Sequence, residues 1–113
     1  MKIAIISDIH GNFEALEAVL EDINKEDCKF IFALGDYAMA GPEPQKVVDY
    51  FFKKQFDENY KLIQGNTDLM IADFNDNLYQ DLKNKAPIMA DALKNDAKIL
   101  SPIQKDFLKN LRV

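Results

Sequence analysis

The chain has 113 residues, 48% of them hydrophobic and 29% charged, a globular composition that argues against a disordered or fibrous protein. Fourteen Lys and Arg against nineteen Asp and Glu leave a formal charge of -5, which disfavours a nucleic-acid phosphate backbone as the main ligand because such binding needs a basic face. No apolar run approaches the ~20 residues of a membrane span, and the one cysteine, Cys28, cannot form an internal disulfide, so a structural thiol in a cytoplasmic protein is the expectation.

In chain order, Ile3 to Ile6 is a continuous apolar run, too short for a secretory signal and of the kind expected in a central strand buried on both faces of a parallel sheet. Asn12 can cap a helix in which Phe13, Leu16, Val19, Leu20 and Ile23 recur at helical spacing, with Glu14, Glu17, Glu21 and Asp22 facing water. Phe30 to Leu34 is a second strand. Gly41-Pro42-Glu43-Pro44 is turn chemistry before a helix whose apolar stripe is Val47, Val48, Phe51 and Phe52. Tyr60 to Ile63 reads as a third, shorter strand. Alternating strands and helices in this way make two crossover units and a parallel sheet, an α/β fold.

From Leu69 to Val113 the pattern is helical, with breaks at Pro87 and at Ser101-Pro102. Ser101, Pro102 and Gln104 have the spacing of a capping box, and Ile103, Phe107, Leu108 and Leu111 supply the buried stripe of the last helix. No repeat, low-complexity tract or linker marks a second domain, so residues 1–113 read as one domain.

Each predicted strand is followed within a few residues by a metal-capable side chain: Asp8 and His10, then Asp36, then Asn66. Parallel strands deliver all of these to the carboxyl edge of the sheet, where open α/β sheets bind ligands. Gly11, Gly35 and Gly65 beside them give the backbone room to turn. Taken singly, Asp8 and Asp36 read as turn or cap residues, Asn66 as turn chemistry and His10 as a structural histidine. The joint pattern after three successive strands favours a metal site.

Asp8-Ile9-His10-Gly11-Asn12, Gly35-Asp36 and Gly65-Asn66-Thr67-Asp68 resemble the N-terminal motifs of the calcineurin-like metallophosphoesterases, most closely the small bacterial and archaeal phosphodiesterase-type branch. The likeness covers almost the whole chain, including Glu14 to Leu20 and the Gly41-Pro42-Glu43-Pro44 loop. It implies that Asp8 and His10 bind a first metal, that Asp36 bridges two metals, and that Asn66 binds the second, with Asp36 and Asn66 acting at the reaction centre. Two nearby divalent ions activate water, clamp phosphate oxygens and stabilise charge as an ester breaks. A mixed oxygen and imidazole set suits manganese, iron, nickel or zinc.

Two departures from the family pattern shape the expectation. Thr67 stands where the family motif has histidine, which removes an imidazole and leaves Asp68 to cap the next helix. Relatives also carry a later histidine, a Gly-His-x-His motif and a second sheet in a four-layer α/β/β/α sandwich, whereas His10 is the only histidine here. The resemblance therefore implies a truncated fold matching the first half of that sandwich.

The function so implied is metal-dependent hydrolysis of a small-molecule phosphomonoester or phosphodiester, weak or absent in this chain alone. The alternative is a non-catalytic protein-interaction scaffold on the same fold. The expected partner is a second copy or a missing C-terminal half, because strands apolar on both faces leave one sheet face open unless the helices from Leu78 to Leu111 fold back over it.

Overall fold

The computed structural model describes residues 1–113. Its elements are β1 (Ile3–Ile6), α1 (Phe13–Lys25), β2 (Phe30–Ala33), α2 (Pro44–Lys54), β3 (Tyr60–Leu62), α3 (Asn66–Ala72), α4 (Asp76–Lys85), α5 (Pro87–Ile99) and α6 (Pro102–Lys109). The helix ends follow the local chemistry. The Asn12 side chain accepts from Ala15 N at the start of α1, Pro44 opens α2, and the Ser101 and Gln104 side chains exchange hydrogen bonds with each other's amides at the start of α6. Asn75 caps α4 by accepting from Leu78 N. The break between α3 and α4 has no proline and lies outside the breaks expected from the sequence.

The three strands form a parallel sheet in the order β1-β2-β3. Pairing continues past β3 through a parallel bridge between Ile63 and Arg112. The fold class is therefore the α/β parallel sheet with flanking helices that the sequence indicated. The expected central position of Ile3 to Ile6 is corrected: β1 is an edge strand, with Ile3 46% and Ile5 66% exposed.

The physical reason lies in the topology. Successive crossovers of the usual right hand in the order β1-β2-β3 place both connecting helices on one face. The register puts Ile6, Ala33 and Leu62 on that face, and all three belong to the core or pack against it. Ile3, Ile5 and Lys61 occupy the opposite face and are exposed.

The core is built around Leu16, Ala33, Tyr37, Val47, Val48, Phe51, Ile71, Leu93 and Leu108. Tyr37 and Phe51 pack ring against ring with centroids 4.7 Å apart. The late helices pack against α2 and α3, which adds to the covered side and leaves Ile3 and Ile5 in the open. The consequence for the site is that the β1 and β2 carboxyl ends stand side by side, anchored from below by a helical layer.

Candidate metal centre

Backbone pairing carries on beyond the strands and clamps their two outgoing loops together. Asp8 N donates to Gly35 O (3.2 Å), His10 N to Asp36 O (3.0 Å) and Gly11 N to Tyr37 O (2.8 Å). Asp8, His10 and Asp36 each take the left-handed backbone conformation, with φ of 56°, 51° and 58°. Non-glycine residues adopt it uncommonly and at an energetic cost, Asp and His more readily than most. The strained turns throw all three side chains into the same space.

The donor atoms of Asp8, His10 and Asp36 lie within 4.8 Å of one another. His10 Nδ1 is 3.2 Å from the Ala38 carbonyl, a contact in which Nδ1 donates, and Nε2 is the ring nitrogen turned toward the cluster. Nε2 is 3.3 Å from Asp8 Oδ1. The Ser7 hydroxyl donates to Asp8 Oδ2 at 2.9 Å. That hydrogen bond, more than the neighbouring Asp36 and His10, holds the Asp8 carboxyl below its usual range. Two carboxylates and an imidazole nitrogen form a donor set that fits a borderline or hard divalent ion.

Asp36 is held on both sides. Its Oδ1 accepts from Thr67 N (3.1 Å) and from the Thr67 hydroxyl (2.7 Å). Its own amide donates to Asp68 Oδ2 at 2.8 Å. Asp68, fully buried, also accepts from Gly65 N (2.8 Å) and Tyr37 N (3.1 Å). Burial pushes its carboxyl above the ordinary range, while the three backbone donors pull the other way. Asp68 thus caps α3 as expected and in addition ties the β3–α3 turn to the loop after β2.

Gly65 makes this approach feasible, since a Cβ there would collide with Asp36 Oδ1. Asn66, the first residue of α3, is exposed and lies between Gly65 and Thr67, both of which touch Asp36. The structure therefore brings Asp8, His10 and Asp36 together as side chains and brings the Asn66 backbone alongside them. Ser7, Thr67 as a hydrogen-bond partner of Asp36, and the Ala38 carbonyl are contributions that the sequence reading did not assign. Only Ser7 carries a local signal, its adjacency to Asp8.

A family profile described as calcineurin-like phosphoesterase matches residues 1–108. A solved hypothetical protein from Pyrococcus horikoshii OT3 superposes with a TM-score of 0.83 at 28% identity, covering 98% of this chain and 48% of that one. A metallophosphoesterase from Sphaerobacter thermophilus superposes with a TM-score of 0.71 at 30% identity, covering 98% of this chain and 41% of that one. The symmetrical bis(5'-nucleosyl)-tetraphosphatase of Buchnera aphidicola subsp. Schizaphis graminum is 36% identical over 70 residues, which are 61% of this chain and 25% of that protein. The chain spans less than half the length of these solved relatives and a quarter of the curated one.

Proposed function

We propose that this chain, which belongs to the calcineurin-like phosphoesterase family, supplies the first-metal half of a centre that hydrolyses phosphoesters. The observation that carries this reading is the convergence of Asp8, His10 and Asp36, from two different strand ends, on one space less than 5 Å wide. The tetraphosphatase name of the Buchnera relative supports a substrate with phosphoryl groups, as does the metallophosphoesterase name of the Sphaerobacter structure.

Asp8 and His10 would hold the first divalent ion, Asp36 would share it with a second, and Asn66 would complete what this chain offers the second. Manganese is the metal we would try first among the manganese, iron, nickel and zinc that such donors accept. A bound divalent ion supplies Lewis acidity toward a phosphoryl oxygen and lowers the pKa of water.

The protein residues set the stage for that chemistry. Ser7 and Thr67 each satisfy one oxygen of a carboxylate, leaving the other oxygen of Asp8 and of Asp36 to face a cation. The Ala38 carbonyl fixes the His10 tautomer. Thr67 is committed to Asp36 and has no proton-transfer range near neutral pH, so no residue here takes the place of the imidazole found in relatives. We therefore place hydrolysis by this chain alone at a low level. The open sheet face favours self-association of the isolated chain, and the single thiol fits a cytoplasmic location.

The test is a calorimetric manganese titration of the chain and of His10→Ala, alongside hydrolysis of an aryl phosphodiester. Manganese binding that falls at least about tenfold in the variant supports the first-metal assignment. Equal binding by both removes His10 from the centre. Metal binding with no hydrolysis even by a chain extended past Val113 would favour the non-catalytic scaffold.

A further inference from the structure

Three polar side chains are buried: Thr67, Asp68 and Asp96. Two of them serve Asp36 directly, Thr67 at its carboxylate and Asp68 at its amide. Asp96 stands apart, on α5, within a buried stripe of Ala90, Leu93, Ala97 and Leu100. A carboxylate in such surroundings is costly unless a partner compensates it. Asp96 is 2% exposed, and its Oδ2 accepts from the Met39 amide at 2.6 Å.

That amide belongs to a peptide group that also meets the metal centre. The Met39 N–H and the Ala38 C=O are the two ends of one peptide unit, and the carbonyl accepts from His10 Nδ1 at 3.2 Å. In a planar trans peptide the N–H and the C=O point in opposite directions. An acceptor that fixes the N–H therefore aims the carbonyl as well. The loop needs such a fixing, because Met39 and Ala40 both have left-handed backbones, with φ of 81° and 71°, a conformation that persists only where its surroundings hold it. Gly41 closes the loop over His10 so tightly that a Cβ there would strike the His10 carbonyl oxygen.

We propose, resting on the metal-centre reading above, that the Asp96 carboxylate is a positioning residue for His10: acting through the Ala38–Met39 peptide, it keeps a proton on Nδ1 and presents Nε2 to the ion held with Asp8 and Asp36. Hydrogen bonds in series polarise one another. Negative charge on the N–H side pushes electron density toward the Ala38 oxygen, which becomes a stronger acceptor for the Nδ1 proton. Burial disfavours the charged form of Asp96, while the Met39 amide and the Asn95 side chain favour it. A partner on the far nitrogen of a metal-bound imidazole sets its orientation and raises its strength as a ligand. Here a carbonyl is that partner and a buried carboxylate stands behind it. Each buried polar side chain of the chain thus addresses a proposed ligand, Thr67 and Asp68 at Asp36 and Asp96 at His10.

His10 is the only histidine, so a long-range proton–nitrogen correlation spectrum of the nitrogen-15-labelled, metal-free chain reports a single ring. At about pH 8.5, above the ordinary imidazole range, the wild type is expected to carry its ring proton on Nδ1. Asp96→Asn keeps the shape and an acceptor without the charge, and Asp96→Leu removes the acceptor. The Leu variant is expected to shift the proton toward Nε2 and, in a calorimetric titration, to bind manganese about tenfold more weakly, with the Asn variant between it and the wild type. An Asp96 that is merely structural would alter stability and leave the ring signals alone. Wild-type ring signals in either variant, once circular dichroism shows it folded, overturn this proposal, as does a wild-type ring protonated on Nε2. Absence of manganese binding by the wild type overturns the metal-centre reading instead, and the metal-free spectra still decide whether Asp96 acts on His10.

Discussion

The Thr67 hydroxyl donates to Asp36 Oδ1 across 2.7 Å, and the Thr67 amide reaches the same oxygen at 3.1 Å. The residue that departs from the family motif thus acts as a buried brace on the carboxylate that the motif is built around. An oxygen that already accepts two hydrogen bonds has less capacity left for a cation, which leaves the other Asp36 oxygen as the better ligand atom.

Thr67→Val keeps the shape and removes the hydroxyl. It is expected to destabilise the fold by about 1.5–3 kcal/mol, the range for hydrogen bonds to charged groups, and to weaken manganese binding several-fold by loosening Asp36. Thr67→Ser should restore both. Chemical denaturation and calorimetry check this, and a Val variant with unchanged metal affinity would show that Asp36 needs no brace.

Gly65→Ala places a methyl group against Asp36 Oδ1. Overpacking of this kind costs about 1–3 kcal/mol, and relief requires moving the very carboxylate proposed to bind metal. The expected outcome is a lower melting temperature together with manganese affinity reduced at least as much as in Thr67→Val.

Asp96 predicts a pH effect with a defined sign. Burial pushes its carboxyl above the ordinary value of 3.8, against the pull of the Met39 amide. A raised native pKa means that the folded state binds more protons than the unfolded state in the window above 3.8, so stability falls as pH rises through that window. Asp96→Asn removes the titration. Denaturant unfolding at a series of pH values should show the wild type losing stability relative to the variant from about pH 4 toward neutrality; a relative gain over that interval would reverse the assignment.

The exposed Ile3 and Ile5 on the open face of the sheet, together with an unpaired β1 edge, predict concentration-dependent association. Light scattering across a dilution series should show mass rising with concentration, and Ile5→Lys should suppress it. A strictly monomeric wild type would mean that the face is too small or too polar at Lys61 to act as an interface.

What the sequence by itself determined is mostly local. Asn12, Pro44 and the Ser101–Gln104 pair announce their helices because capping chemistry operates within one turn, and each strand run shows in its own few residues. The placement of Asp8, His10 and Asp36 on one edge was also legible, because parallel strands leave little choice about where their carboxyl ends go.

Other features depended on separations that no local pattern encodes. Ile3 and Ile5 look like residues of a central strand, yet strand order made β1 an edge and helix placement left one face bare. Thr67 reads only as the loss of an imidazole until its hydroxyl is seen on Asp36, thirty-one positions away. Nothing in the local sequence singles out Asp96, and only tertiary packing buries it against the Met39 amide, fifty-seven positions earlier. Hydrogen bonds and burial are set by which surfaces meet in space, and that was decided when the late helices packed onto the loops carrying the metal centre.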